Sequence, residues 1–571
     1  MNAVRSQGPV LWQALITELP RLGTAGSRSA ELHVDSALVT AVSGADVDQP
    51  AVRLRPKQLL HFAVLRWVGM VGSLLLAMGI LGGGALPVVG NPYGAFPGAT
   101  LLGQMPQASC AIAFVGIGAL VVAWVCMAPL AGVRLRLHDA AEGTVRSGIV
   151  GVSVLWRTFA AWVAPIVITA PAFTQDIYSY LAQGAIVRAG MDVYSAGPID
   201  LLGPENHLAR SVPFIWAHSP SPYGPVALGV AQAISFITND SIVLGVAAHR
   251  LVSVAAVACA GWAMSRLARR CGVHPTTAVW LGILNPLTIL HLIAGIHNES
   301  LMLGLLLVGL ELGLRGVEKL RKPSGWLLVG VSALLVSMAG MVKVTAFLAL
   351  GFMGMELARK LPHAARGPWR HGWARLLTAI AVQVVGLVVA VAAVSAVTGI
   401  SLGWISSQGG AATVRSWMSL STETGVVFGG IGMLLGLGDH TDAMLVITRG
   451  AGLLVAGAFT VRLLFATLRG NIHPVGGLGV STLVLVVLFP VVQPWYILWA
   501  ILPLACWANR SIFRLGVVAY SAAFSFFVLP RGLSLPPATV LSIYVASAVA
   551  FTCCLALVWW LLRRWGFIRL D

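Results

Sequence analysis

A few polar side chains in this sequence stand where a largely apolar chain offers no ordinary reason for them. Asp176 is the first, in the stretch Pro171-Ala-Phe-Thr-Gln-Asp176-Ile-Tyr178-Ser-Tyr180 directly after an apolar block. A carboxylate at the edge of an apolar helix is costly unless it is solvated, paired or used. Tyr180 lies four residues on, which is the same face of a helix. An aspartate here also suits the N-cap of a helix starting at Ile177, the structural alternative. Used chemically, a single carboxylate is a general base that takes a proton from a hydroxyl. Arg188 and the stretch Gly190-Met-Asp192-Val-Tyr194 extend the polar run, although Gly-x-Asp-x-Tyr also makes an ordinary turn.

Further segments carry candidate groups. His218-Ser-Pro-Ser-Pro-Tyr223-Gly-Pro225 reads as a rigid turn, with His218 and Tyr223 as candidate ligand contacts. His291 precedes His297-Asn298-Glu299-Ser300, where two apolar blocks meet. His-x5-His is a poor metal spacing for one helical face and no second cluster completes it, so no metal is expected. Contacts to a ligand, or a helix cap by Asn298, are the readings that remain. Lys343, in Gly340-Met-Val-Lys343-Val-Thr345, is a cation flanked by apolar residues; it either snorkels or binds a phosphate. Arg415 and Arg531 are similar. Gln493-Pro-Trp495-Tyr496 puts aromatics at a membrane interface, to anchor it or to stack on a sugar ring.

The elements that must position these residues are membrane helices. Of 571 residues, 57% are hydrophobic and 10% charged. A water-soluble domain carries roughly 25% charged residues. The apolar blocks run about 17–25 residues without alternation, which fits spanning helices and not a barrel. Spans are expected near 60–83, 107–131, 150–171, 242–265, 277–296, 300–315, 325–341, 344–358, 375–398, 445–466, 475–491, 495–508, 511–529 and 538–562. The fold class is therefore all-α and polytopic, with roughly 13–15 transmembrane helices.

The net charge of +17 comes from Arg and Lys between apolar blocks, which retain loops in the cytoplasm. Nucleic acid is not implied as a partner. The block Val226–Ile237 is short for a span. If it dips without crossing, every strongly basic loop falls inside, and both termini are cytoplasmic. Residues 1–56 then form a cytoplasmic, largely disordered tail ahead of a membrane domain over 57–571. Outside lie a main loop, 172–241, and a second, 399–444. The seven cysteines show no C-x-x-C spacing and imply no disulfide. No signal peptide is read at the N-terminus.

The ordered set of Asp176-containing loop, Pro-x-Tyr-Gly-Pro turn, Ala189-Gly190-x-Asp192-x-Tyr194, His297-Asn298-Glu299 and Gln493-Pro-Trp495-Tyr496 resembles the GT-C superfamily of membrane glycosyltransferases. In detail it resembles the actinobacterial polyprenol-phosphomannose-dependent α(1→6)-mannopyranosyltransferases of the MptA/MptB type, with length and polar N-terminal tail closer to MptB. The usual family pattern has Asp where Glu299 stands. The resemblance implies a GT-C-like bundle in the plasma membrane with its active site on the extracytoplasmic face. It implies a polyprenyl-phosphate-mannose donor and a lipid-anchored α(1→6)-mannan acceptor, as in lipomannan and lipoarabinomannan core synthesis. It also implies inversion at the sugar, surrounding membrane lipids as partners, and no cofactor. Asp176 is then the catalytic base, and Lys343, Arg415 or Arg531 the cation for the phosphate. Tyr178, Tyr180, Arg188, Asp192, His218, Tyr223, His297, Asn298, Glu299, Gln493, Trp495 and Tyr496 are candidate substrate contacts. The rival is a transporter or flippase for a lipid-linked sugar, which predicts Gly/Pro-broken or polar helices at mid-membrane. His249 and Arg250, inside the fourth span, are the residues that fit such a rival.

Overall fold

Apolar segments in a bilayer must satisfy their own backbone, and a helix does this within the segment. The computed structural model describes residues 54–87, 89–133, 149–362, 368–407 and 415–564. The expected tail over 1–56 lies almost wholly outside them. Among the described residues every regular element is a helix. In chain order they are α1 (Pro56–Gly83), α2 (Pro106–Cys126), α3 (Val152–Val167), α4 (Asp176–Arg188), α5 (Pro225–Thr238) and α6 (Ile242–Arg270). Then come α7 (Pro275–Gly282), α8 (Glu299–Val317), α9 (Pro323–Gly340), α10 (Leu348–Lys360), α11 (Pro368–Thr398) and α12 (Leu420–Leu434). The last are α13 (Thr441–Leu468), α14 (Pro474–Leu488), α15 (Leu498–Trp507), α16 (Ser511–Phe524) and α17 (Pro537–Arg564). Shorter turns of helix connect them.

Eight of these are long and apolar enough to cross a membrane: α1, α2, α6, α8, α9, α11, α13 and α17. The chain is a multi-pass, all-α membrane protein. Proline opens α1, α2, α5, α7, α9 and α14, where its missing N–H removes no helical bond. Small residues let helices close on one another, as they do where lipid supplies no hydrophobic drive. A Cβ on Gly116 of α2 would stand 2.5 Å from the Gly72 carbonyl of α1, and one on Gly304 of α8 2.7 Å from the Ala256 carbonyl of α6.

The elements add detail to the expected spans and loops at two places. The single helix expected over 277–296 is broken: α7 stops at Gly282, and a π-helix over Thr288–Ala294 follows Pro286. Asn285 fills the break, donating to the Leu281 carbonyl at 3.0 Å and to Ser521 Oγ at 2.9 Å while accepting from the Leu287 N–H at 2.9 Å. The expected loop over 399–444 contains α12, a helix of 15 residues packed on α13 through Gly425 and Gly429. Four glycines in that helix, at 425, 429, 430 and 432, make its sequence read as a loop.

The order of α3, α4, α5 and α6 positions the site. Arg250 of α6 serves the carbonyls that end α3, so the first turns of α6 run past that end. Leu181 of α4 packs there on Gly245. Alongside it, Gly184 of α4 lies against Ala231 of α5, and Arg188 donates to the Ser235 carbonyl at 3.1 Å. The two helices therefore run side by side in the same direction, beyond the end of α3.

Candidate active site

The segment leading to Asp176 has no helix of its own and is held from three sides. Arg250 is buried and donates to the carbonyls of Val167 (3.1 Å), Ala170 (3.0 Å) and Ile293 (3.3 Å), as well as Thr169. Its charge thus serves helix-end carbonyls, the groups most in need of donors. The Ala172 N–H donates to the Ala294 carbonyl at 3.0 Å. Gln175 and Tyr178 both reach the end of α1, donating to the carbonyls of Leu86 (2.9 Å) and Ala85 (2.8 Å). Tyr178, two residues past Asp176, faces away from the carboxylate and acts as a clamp. Asp176 is then the first residue of α4, with Gln175 at the N-cap, so the aspartate side chain is not the cap.

The Asp176 carboxylate is 26% exposed. It accepts a hydrogen bond from Trp216 Nε1 at 3.2 Å, and His297 Nδ1 lies 3.7 Å from its other oxygen. No lysine or arginine pairs with it among the described residues. The imidazole of His297 stacks on Trp495, with ring centroids 3.9 Å apart, and His291 stacks on the same indole at 4.9 Å. The Trp495 indole N–H donates to Glu299 at 3.3 Å. Glu299, 4% exposed, accepts from Lys343 at 2.6 Å. The Lys343 ammonium in turn lies 4.0 Å from the Tyr496 ring centre and 4.7 Å from that of Trp499, within cation–π range. Tyr180 and Tyr223 meet edge to face, their hydroxyls 3.1 Å apart. Gly224 matters here: a side chain at that position would strike the Met341 carbonyl, so glycine lets the Tyr223 turn approach the Lys343 turn.

The electrostatics follow from this crowding. Burial holds His297 below the usual histidine range, with Glu299 and Asp176 pulling the other way. Burial alone disfavours the Lys343 charge, but Glu299 and Tyr496 outweigh it, and the ammonium stays protonated well above its usual range. Burial, then Asp176 and Glu299, push the Tyr223 hydroxyl upward, so it stays neutral. Two carboxyl groups, one ammonium and two imidazoles share one cluster.

Of the residues singled out from sequence, Asp176, Tyr180, Tyr223, His297, Glu299, Lys343, Trp495 and Tyr496 come together. Asn298 holds the N-cap of α8 without a side-chain cap, and Gln493 enters the Tyr496 turn through its backbone carbonyl. Arg531, in left-handed backbone (φ 62°), belongs to the turn Pro530–Gly532, which packs on Phe173 and Thr174 just before Asp176. Four others stand apart. Arg188 is twelve residues along α4, about 18 Å away, paired with Asp240 at 3.2 Å. Asp192 accepts from the Tyr194 N–H at 3.0 Å in an ordinary turn. His218 is exposed and bonds Asp200 at 2.8 Å, and Arg415 pairs with Asp442 at 2.8 Å. Trp216, His291 and Trp499 join the cluster without having been singled out as site residues. His291 had a signal in its spacing to His297; Trp216 and Trp499 had none. No group of three His, Cys, Asp or Glu side chains arranged to hold a metal occurs among the described residues.

Residues 66–359 match the family model for the α-(1→6)-mannopyranosyltransferase N-terminal domain, and 421–556 match that for the MptB C-terminal domain. The chain belongs to the α-(1→6)-mannopyranosyltransferase family. It is 59% identical to α-(1→6)-mannopyranosyltransferase B of Corynebacterium glutamicum, over 96% of this chain and 92% of that protein. It is 39% identical to a probable α-(1→6)-mannopyranosyltransferase of Mycolicibacterium smegmatis (82% and 83% covered). An α-(1→6)-mannopyranosyltransferase of Mycobacterium tuberculosis is 36% identical, with 86% of each chain covered. No solved structure matches the chain. As a member of this family it is a glycosyltransferase that moves mannose, and the family implies a sugar donor and a mannan acceptor. The first family model contains every clustered residue except Trp495, Tyr496, Trp499 and Arg531, so the site draws on both halves of the chain.

Proposed function

We propose that this glycosyltransferase takes mannose from polyprenyl-phosphate-mannose and adds it, with inversion, to an α(1→6)-mannan on a phosphatidylinositol-mannoside-type lipid. The reaction serves lipomannan and lipoarabinomannan core synthesis on the extracytoplasmic face of the plasma membrane. The observation that carries this reading is Asp176: a partly exposed carboxylate, without a lysine or arginine partner among the described residues, fixed by Trp216 at the end of the spanning helices. A donor lipid presents its sugar at that level, and a carboxylate reachable there is a base for an acceptor hydroxyl.

The step is one displacement. Asp176 removes the proton of the mannan hydroxyl as that oxygen bonds to the anomeric carbon of the donor mannose. The bond from that carbon to the phosphate oxygen breaks, and polyprenyl phosphate leaves with one more negative charge than the donor carried. That charge needs fixed positive groups more than it needs an acid. Lys343 spends one N–H on Glu299 and another on the Tyr496 hydroxyl, which leaves one for a phosphate oxygen. Arg531, on the turn packed against the Asp176 segment, is the second cation. Trp495, held by Glu299 and stacked on His297, is the surface for the sugar ring.

Purified protein supplied with labelled polyprenyl-phosphate-mannose, and separately with a nucleotide-mannose, tests this against an α(1→6)-mannoside acceptor. Transfer from the lipid donor alone, giving an α-linked product by NMR, is the expected result. Transfer from the nucleotide donor alone overturns the reading, as does movement of the lipid across the bilayer without transfer.

A further inference from the structure

Away from the catalytic cluster the surface carries a row of aromatic rings that the reaction above does not use. Trp417 is 63% exposed and Phe527 is 57% exposed. Phe524 completes a triangle with them: its ring is near-parallel to Trp417 at 6.5 Å between centroids and 5.4 Å from Phe527, and Trp417 and Phe527 are themselves 6.3 Å apart. Phe524 stacks directly on Tyr520 at 4.1 Å, and the Tyr520 hydroxyl donates to the Pro494 carbonyl at 3.1 Å. Pro494 is the neighbour of Trp495. The row therefore begins one residue from the indole that lines the catalytic cluster and ends on the open surface. A polar edge flanks it: Arg415, two residues before Trp417, pairs with an Asp442 that is otherwise fully exposed. Ser416 anchors the segment by donating to the Val492 carbonyl.

Sugar rings bind on faces of this kind. Their axial C–H groups lie on an aromatic face, and adjacent charged side chains take the hydroxyls. Two occupants suit an apolar row beside this site, the mannan acceptor and the donor's isoprenoid chain, and direction separates them. α15 leads away from the Trp495 turn into the bundle, and α16 returns; Tyr520 marks the level of that turn on α16. Phe524 and Phe527 lie past Tyr520, on the outer side. A polyprenyl chain has to run the opposite way, into the bilayer. A growing mannan, which extends away from its lipid anchor, follows the row.

We propose that Trp417, Phe524 and Phe527, edged by Arg415 and Asp442, form an acceptor platform for mannose units of an α(1→6)-mannan beyond the unit that receives the new sugar. This rests on the reading of the chain as a mannan-extending enzyme, but binding is measurable without turnover. Unlabelled α(1→6)-mannotetraose is titrated by calorimetry into detergent-solubilised wild type, Trp417→Ala and Phe527→Ala. Each variant removes a largely exposed ring, so the fold is retained, and a Trp417→Phe variant restores a stacking face. The dissociation constant is expected to rise roughly threefold to tenfold in each alanine variant, as loss of one ring contact implies, and to return most of the way in Trp417→Phe. An equal constant in wild type and both alanine variants overturns the proposal, as does no binding to the wild type. A rise in the KM for polyprenyl-phosphate-mannose with unchanged tetraose binding assigns the row to the donor tail and also overturns it. The donor test of the preceding section is independent: its failure removes the reaction, and the binding result still decides the platform.

Discussion

α8 carries a charged cluster at each end, and the two are built on different principles. At one end Glu311, 1% exposed, takes Arg270 at 2.6 and 3.2 Å and Arg315 at 3.0 Å, while Arg270 also binds Glu318. Two carboxylates and two guanidinium groups close on one another. At the other end Glu299 takes Lys343, but among the described residues Asp176 beside them has only an indole N–H and a histidine 3.7 Å away, and His297 Nε2 has no partner there. A closed cluster holds helices in register. An open one leaves hydrogen-bonding capacity unmet until a substrate arrives, which is the usual mark of a functional site. The buried Asn285 break between α7 and the π-helix belongs with the closed kind, because its amide groups are all engaged within the chain.

Breaking the open cluster at its one ion pair has the largest expected effect. Lys343→Met strands the buried Glu299 and costs about 3–5 kcal/mol of stability, with transfer lost as well. Adding Glu299→Gln restores most of the melting temperature but not the transfer; restored transfer would make Lys343 a purely structural residue. Next comes Trp216→Phe, which deletes the hydrogen bond to Asp176. It lowers kcat about tenfold, the value of one bond to a charged acceptor, with an unchanged melting temperature. A normal kcat would remove Trp216 from the site. A smaller effect concerns His297. Burial lowers its pKa, so below about pH 6.5 the unfolded chain binds a proton that the folded chain resists. The contribution is present above that pH and is lost as pH falls toward the folded value. Melting temperature against pH is therefore steeper in wild type than in His297→Asn; parallel profiles contradict it. Smallest is Arg188→Ala, which breaks a half-exposed pair worth less than about 1 kcal/mol and leaves transfer as it was.

Much of this contrast was legible in the residues themselves. Asp176, His297, Glu299 and Lys343 stand out because a charged or polar group at the edge of an apolar block has few ordinary reasons to be there. Helical phase places Tyr180 on the Asp176 face, and the same phase turns Tyr178 toward Ala85. Trp216 was not legible: its role depends on a chain return that brings residue 216 to residue 176, and no local pattern encodes that. α12 was hidden by its glycines, which lower helix propensity in isolation and are used here for close contact with Thr441 and Leu445. The break at Pro286 did have a local signal, the turn-forming pair Asn285-Pro286, set inside an otherwise continuous apolar block.

The sharpest test sets one residue from each cluster side by side. Asp176→Asn and Glu311→Gln are purified in parallel, and each is measured for melting temperature and for mannosyl transfer per folded molecule. Asp176→Asn should melt like the wild type and transfer at least about a hundredfold more slowly, as loss of a general base implies. Glu311→Gln should melt lower and transfer normally while folded. Near-normal transfer by Asp176→Asn would contradict the assignment of the open cluster as the catalytic site.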